Sequence, residues 1–343
     1  RVSVLIPARN EAENIAQCLH SVLTQNYPAD RFEVIVCDDF STDATAERVL
    51  QCAARHPGIS VKLLRLADFV SEKDTRSFKK KALDIALRHA RGDLIVTTDA
   101  DCLAPPDWLA LLVSFYEKNR PRFIAAPVRF YGEKNALERF QSLDFLGMMG
   151  TTGAGIRLRL GNMCNGANLA YEKTAFDAVG GFSGIDHLAS GDDILLMQKI
   201  ARQFPGQIRF LKSRDATILT RPKTTLRDFL SQRIRWASKS AHYPEWRMTL
   251  ILGFVFLFCI NMVFSLALTG VWGAPALGLF ALALTTKSIT DYYFLRQMCR
   301  FFRREDLLKN YPVSQLFHIA YILTVGILAN IQKKYEWKGR RVR

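Results

Sequence analysis

The sequence predicts an α/β fold, a doubly wound open sheet, with transmembrane helices following it toward the C-terminal end. In the first hundred residues, short apolar β-rich runs alternate with amphipathic segments. Runs that are apolar on both faces are buried on both faces, as in a parallel sheet covered by helices. From Met248 to Thr286 there is no charged residue in 39 positions, well beyond the roughly 20 residues of one bilayer crossing. Charge divides the chain in the same way. Residues 1–220 carry 28 Lys and Arg against 26 Asp and Glu, whereas residues 221–343 carry 19 against 6. A basic rim on hydrophobic runs points to an anionic membrane surface. Nucleic-acid binding would instead spread basic residues over a folded face, which excludes that class here.

The strand VSVLIP (2–7) precedes a helical pattern from Glu13, and FEVIVCDD (32–39) precedes another from Asp43, where STDAT supplies N-cap residues. VKLLRL (61–66) leads to KKKALDIALRHA (79–90), and DLIVTTDAD (93–101) leads to PPDWLALLVSFYEK. Doubly wound sheets bind ligands beyond the carboxyl ends of their strands. Three of those ends, IPARNE, CDDFSTD and TTDADC, are polar here. Between residues 122 and 220 the pattern is less regular, and the glycine-rich stretches 150–171 and 180–201 read as loops that line a site or simply as mobile connections.

The expected organisation is a domain over 1–220, an interfacial segment over 221–247, a membrane region over 248–332 and a basic tail over 333–343. Gly270, Gly273 and Pro275 mark a hairpin inside the long uncharged run, and Tyr311–Gln332 is a further one, giving two or three membrane segments. Arg227, Arg233 and Lys239 recur six residues apart and are expected to rest on anionic headgroups. Seven scattered cysteines without a C-x-x-C pair argue against a disulfide framework or zinc site and for a reducing compartment. His187 and His242 are isolated and read as structural. The chain opens without Met, directly in a strand, so a preceding segment is expected.

Three carboxylate pairs carry the chemistry. Asp99 and Asp101 lie two apart after an apolar run, so in an extended segment both face one ligand. Two hard oxygen donors suit Mg²⁺ or Mn²⁺ bridging a diphosphate, although a solvated loop is the alternative. Asp38 and Asp39 close the second strand, where a carboxylate can accept hydrogen bonds from a base or ribose; Asp38, Asp39 or Ser41 could instead cap the next helix. Asp192 and Asp193 precede an amphipathic helix. Capping explains one acid there and a general base explains a second.

The motifs VSVLIPARNE, VIVCDDFSTDAT, KKKALDIAL, LIVTTDADC, CNGANLAY, SGDDILL and QRIRW occur in the order and spacing of family 2 glycosyltransferases. The chain resembles the membrane-bound branch that includes cellulose, chitin and hyaluronan synthases and ceramide glucosyltransferases. The resemblance covers roughly residues 1–245. It implies a GT-A fold, a nucleotide-sugar donor (usually UDP-linked), a divalent metal and inversion at the anomeric carbon. Carried over by position, it places Pro7, Ala8, Asn10 and Glu11 around the nucleotide, Asp39 on the uracil or ribose, and Lys79 near the base or phosphates. It implies that Asp101 binds the metal, that Asp99 binds the donor and metal, and that Asp193, beside Asp192, is the base. Gln232, Arg235 and Trp236 match the Q-x-x-R-W signature, which implies donor contacts for Gln232 and Arg235, with Trp236 expected to face the acceptor. Three positions depart from the pattern: Phe40 replaces a glycine and alters a turn, Asp84 replaces an asparagine, and Asp192 replaces a glutamate.

Two or three membrane segments are few for a channel that extrudes a polymer. The expectation is therefore transfer of one or a few sugars to a lipid or membrane-associated acceptor at the cytosolic face. A processive polysaccharide synthase is the alternative with the same chemistry. A degenerate nucleotide-binding membrane protein is the non-enzymatic one. A sugar nucleotidyltransferase would carry a glycine-rich phosphate loop after its first strand, and IPARNEAEN has none.

Overall fold

The computed structural model describes residues 1–74, 77–161, 163–188, 191–238, 246–331, 335–337 and 340–342. Lys239 and His242 lie outside the described residues. The chain divides into two compact units, one of residues 1–129, 152–221 and 336–343, the other of residues 130–151 and 222–335.

The first unit is built on strands β1 (Val2–Ala8), β2 (Phe32–Asp38), β3 (Ser60–Arg65), β4 (Leu94–Thr97), β5 (Phe123–Ala125), β6 (Val128–Phe130), β7 (Leu169–Glu172), β8 (Ile208–Phe210) and β9 (Ile218–Thr220). Seven of them form one sheet in the order β3-β2-β1-β4-β7-β5-β8. Every residue of β2 and β4 is buried, which is why these segments read as largely apolar runs, the buried Glu33 of β2 being paired with Lys62. Helices α1 (Ile15–Leu23), α2 (Thr45–Arg55), α3 (Phe78–Arg88) and α4 (Trp108–Asn119) alternate with the strands. The α3 side chains Ala82, Leu83, Ile85 and Ala86 join Leu5, Ile35, Ile95 and Phe123 in one core.

The expectation of a parallel sheet holds for β1 to β4 and fails at β7, which runs antiparallel to both β4 and β5. Burial on both faces, which the apolar runs report, says nothing about strand direction. The expected loop at 150–171 is also corrected in part. Residues up to Leu158 finish α5 (Ala136–Leu158). A Cβ on Gly153 would lie 3.1 Å from the Phe210 ring and one on Gly155 2.8 Å from the Gly161 carbonyl oxygen, so these glycines permit close packing. The cap of α2 differs too: Ala44 stands at its N-cap, and the Asp43 carboxylate accepts from the Thr45 N–H at 3.0 Å. Helices α6 (Lys173–Ala178) and α7 (Ile194–Gln203) complete this unit, and His187 is exposed.

Asn168, just before β7, ties three segments together. It accepts from the Trp108 indole N–H at 2.9 Å and donates to the carbonyls of Pro127 at 2.7 Å and Ala216 at 2.9 Å. All of it is out of solvent, so the Trp108 N–H and the Ala216 carbonyl depend on Asn168, while the Pro127 carbonyl also accepts from the Ile218 N–H at 3.1 Å.

The second unit contains the first part of α5, then α8 (Leu226–Ala237), α9 (Trp246–Trp272), α10 (Ala274–Phe302) and α11 (Tyr311–Ile331). The hairpin expected at Gly270–Pro275 is there: Gly273, at φ +61°, separates α9 from α10, and proline stands in the first turn of α10. Among the described residues, Trp246–Trp272 and Glu305–Ile331 are long and apolar enough to cross a membrane. The second half of α10 carries Lys287, Asp291, Arg296 and Arg300. Strands β10 (Tyr335–Trp337) and β11 (Arg340–Val342) pair with each other.

Arg233 does not reach toward headgroups. It is 2% exposed, with its guanidinium 3.0 Å from the Asp144 carboxylate of α5 and 4.5 Å from the Trp236 ring centroid. A period-six reading of basic residues ignored the 3.6-residue helical period that turns Arg233 inward. Arg227 is exposed.

Removing one partner of a buried ion pair leaves an uncompensated charge. Asp144→Ala is therefore expected to cost about 3–5 kcal/mol, read as a lowered thermal unfolding midpoint in detergent. The double variant Asp144→Leu with Arg233→Met should recover most of that loss. In the first unit, Asn168→Ala is expected to cost roughly 3 kcal/mol by orphaning the Trp108 N–H and the Ala216 carbonyl, measured in the same way.

Candidate active site

The loops after β1 and β2 are laced to each other. The Asn10 N–H donates to the Ser41 hydroxyl at 3.0 Å, the Asn10 side-chain oxygen accepts from the Thr42 N–H at 2.8 Å, and the Glu11 N–H donates to the Thr45 hydroxyl at 2.8 Å. Arg9 closes the seam by donating to the carbonyls of Asp39 and Phe40 at 2.8 and 3.1 Å. Pro7 and Ala8 end β1, and the Ala8 carbonyl accepts from the Asp39 N–H at 2.7 Å. Asn10 is exposed at φ +48°, and the Glu11 carboxylate accepts from the Asn14 amide at 2.8 Å.

Phe40 holds φ +50°. The chain thus keeps the left-handed backbone that a glycine adopts freely, and a phenylalanine adopts it against steric resistance. Its ring meets Phe78 edge-on, with the centroids 6.2 Å apart. The expected change of turn is therefore one of side chain, at a backbone angle where glycine is at ease. Beside it Asp39 is 2% exposed. Burial pushes its carboxyl up to about 6, against the pull of Arg340 and Arg9. One Oδ of Asp38 is buried without a hydrogen-bond partner among the described residues.

A second cluster gathers around Gly166. The Lys79 ammonium, on α3, lies 2.7 Å from an Asp99 oxygen and 3.1 Å from an Asp192 oxygen. Burial opposes its charge, but Asp192 and Asp99 outweigh burial and hold its pKa above the ordinary lysine value. A Cβ on Gly166 would stand 3.2 Å from that ammonium, 3.4 Å from Asp192 and 3.7 Å from Asp193. Glycine is what lets Lys79, Asp192 and Asp193 close on one point. The Gly166 N–H donates to Asp193 at 3.2 Å, and the other Asp193 oxygen accepts from the Ile194 N–H at 2.8 Å, capping α7. Helix capping thus accounts for Asp193 structurally, while Asp192 faces Lys79.

Asp99, Asp101 and Cys102 offer ligand atoms within 4.8 Å of one another. Two carboxylates with room for further oxygen ligands fit a hard divalent cation that keeps positions for phosphate oxygens. The thiol is a soft donor that such a cation does not need.

Gln232, Arg235 and Trp236 belong to the second unit, on α8. The Gln232 side-chain oxygen is buried without a hydrogen-bond partner among the described residues, and Arg235 is partly exposed. Trp236 lies between Arg233, over its ring at 4.5 Å, and Phe145, with centroids 5.9 Å apart.

Sequence reasoning missed three residues. Gly166 and Asn168 sat in a quoted motif, but their roles depend on groups far away in the chain. Arg340 donates to Asp39 at 2.8 Å from β11, and no local pattern announces that pairing.

The sequence profile of glycosyl transferase family 2 matches residues 3–180, and that of glycosyl transferase family group 2 matches residues 94–323. Glycosyltransferase AglE of Haloferax volcanii is 28% identical over 195 residues, which are 56% of this chain and 59% of that protein. The poly-beta-1,6-N-acetyl-D-glucosamine synthase of Staphylococcus epidermidis is 25% identical over 239 residues, 69% of this chain and 53% of that one. The chain thus spans little more than half the length of these relatives. Among solved structures, the mannosyltransferase PcManGT of Pyrobaculum calidifontis, in complex with GDP-Man and Mn²⁺, superposes with a TM-score of 0.59 at 24% identity, covering 97% of this chain and 88% of that one. That likeness shows the fold, of the GT-A kind, with apolar helices following it. With the first profile covering more than half of its residues, the chain belongs to glycosyl transferase family 2.

Proposed function

We propose that the protein is an inverting glycosyltransferase, anchored in a membrane, that moves one or a few sugars from a nucleotide sugar to a lipid or membrane-associated acceptor at the cytosolic face. The observation that carries this reading is the convergence of Lys79, Asp192 and Asp193 on Gly166, with Lys79 also paired to Asp99, which lies beside Asp101 after β4. Displacing a nucleoside diphosphate concentrates negative charge on the departing phosphate, and preorganised cations stabilise it there. Lys79 supplies one such charge. Asp99 and Asp101 would hold Mg²⁺ or Mn²⁺, which neutralises the diphosphate when bound.

Asp193 is the general base in this reading. It takes the proton of an acceptor hydroxyl as that oxygen bonds to the anomeric carbon and the bond from that carbon to the donor phosphate breaks. Asp192 is the poorer choice, because its carboxylate is already engaged by the Lys79 ammonium 3.1 Å away. Pro7, Ala8, Asn10, Glu11 and Asp39 line the nucleotide side. The roles of Gln232 and Arg235 toward the donor, and of Trp236 toward the acceptor, rest on the Q-x-x-R-W motif. The excess of basic residues after residue 220 supports a cytosolic catalytic face. A second reading, processive synthesis of a polysaccharide, is favoured by the printed activity of the Staphylococcus epidermidis relative.

The test is incubation of membranes bearing the full chain with a panel of labelled nucleotide sugars, with and without a chelator. Metal-dependent label in an organic-extractable product is expected. A high-mass polysaccharide would select the second reading, and no transfer from any donor would overturn both. Asp193→Asn should lower turnover by roughly 10²–10⁴-fold while nucleotide binding persists, and unchanged turnover would sink its assignment. Asp101→Asn should weaken Mn²⁺ binding at least ~10-fold, in line with loss of one of few protein ligands, read by electron paramagnetic resonance.

A further inference from the structure

Arg340 of β11 enters the pocket at the end of β2. One terminal nitrogen lies 2.8 and 3.0 Å from the two oxygens of Asp39. The other, with Nε, lies 2.6 and 3.1 Å from a Glu72 oxygen. The centre of the guanidinium stands 3.5 Å from the Phe78 ring centroid and 5.6 Å from that of Phe40. Its side chain is 10% exposed and that of Asp39 is 3% exposed. The occupant is thus a flat group, with an aromatic ring against one face and carboxylates receiving its edge N–H groups.

A nucleobase meets the same description. It is planar, stacks on an aromatic face, and presents N–H donors at its edge. Guanine goes further: its N1–H, C2 and exocyclic NH₂ form a guanidine fragment, the group that Arg340 carries. Uracil offers a single ring N–H between two carbonyls, and those carbonyls would face carboxylate oxygens here. Asp39 is also the residue that the proposed function places on the base or ribose, so the two ligands would require the same oxygens.

We propose that Arg340 is a tethered mimic of guanine that occupies the nucleobase subsite, and that a guanine-bearing donor enters by displacing it. This inference rests on the nucleotide-sugar reading above. Phe78 is the stacking surface, Asp39 receives the base edge, and Glu72 and Arg9, 3.8 Å apart, flank the opening. Displacement exchanges one set of N–H donors for another, so Asp39 is never left buried without a partner.

The test is isothermal titration of GDP and UDP, each with Mn²⁺, into the full chain in detergent, as the natural sequence and as Arg340→Gln and Arg340→Lys. Arg340→Gln is expected to bind GDP at least tenfold more tightly than the natural sequence, with a smaller gain for UDP. Arg340→Lys, which keeps the charge and loses the planar fork, is expected to fall between them. Unchanged or weaker GDP binding in Arg340→Gln would overturn the mimic while leaving the donor reading intact. A gain for UDP equal to that for GDP would overturn the guanine assignment. Binding of neither nucleotide to any of the three proteins would overturn this inference together with the proposed function.

Discussion

Like charges drawn together out of water repel one another and lose hydration, and at the carboxyl edge of this sheet a single ammonium offsets both penalties. Lys79 stands between Asp99 and Asp192, and Gly166 leaves the space in which they meet. The acids come from the segments just after β4 and just before α7, the lysine from α3, and the glycine from the segment before β7. Their convergence therefore requires the sheet order in which β4 and β7 are neighbours. The antiparallel β7 has a specific role in this: it brings the chain back so that Gly166 lies within 3.0 Å of the Thr97 hydroxyl that ends β4.

In the second unit the same principle works on Arg233 and Asp144, among the rings of Phe229 and Trp236. A guanidinium tolerates this burial better than an ammonium, because its flat faces stack while its edge is paired. Polar groups recur between the apolar helices of this unit: Lys287 pairs with Asp291 on α10, and Gln315 on α11 donates to Asp291 at 2.9 Å.

Much of the first unit was legible because its central strands β1, β2 and β4 are buried on both sides and its helices carry one apolar face. Asp39, Asp99 and Asp101 were legible as candidates because hydrophilic residues at strand ends stand out against apolar runs, Asp192 and Asp193 because one cap does not need two acids, and Lys79 only through its family motif. Strand direction at β7 was not, since an apolar run looks alike in both directions. Arg233 was misread because a charge in a basic segment looks solvated until its helical face is known. The glycines at 153 and 155 looked like loop formers, and only the neighbours that they admit, Phe210 and Gly161, reveal their use. Arg340 lay beyond any local pattern, 301 positions from Asp39.

The left-handed backbone at Phe40 has a mechanical consequence. A glycine there would act as a free joint, and the loop could relax independently of what fills the neighbouring pocket. A phenylalanine is disfavoured at that angle by about 1–2 kcal/mol, so the loop keeps its shape through the ring's seat against Phe78. Phe78 is also the surface on which the Arg340 guanidinium lies. Backbone and pocket then share one support: the side chain that seats Phe40 also carries the Arg340 guanidinium, so the peptide after Asp39 and the occupant beside it rest on the same ring.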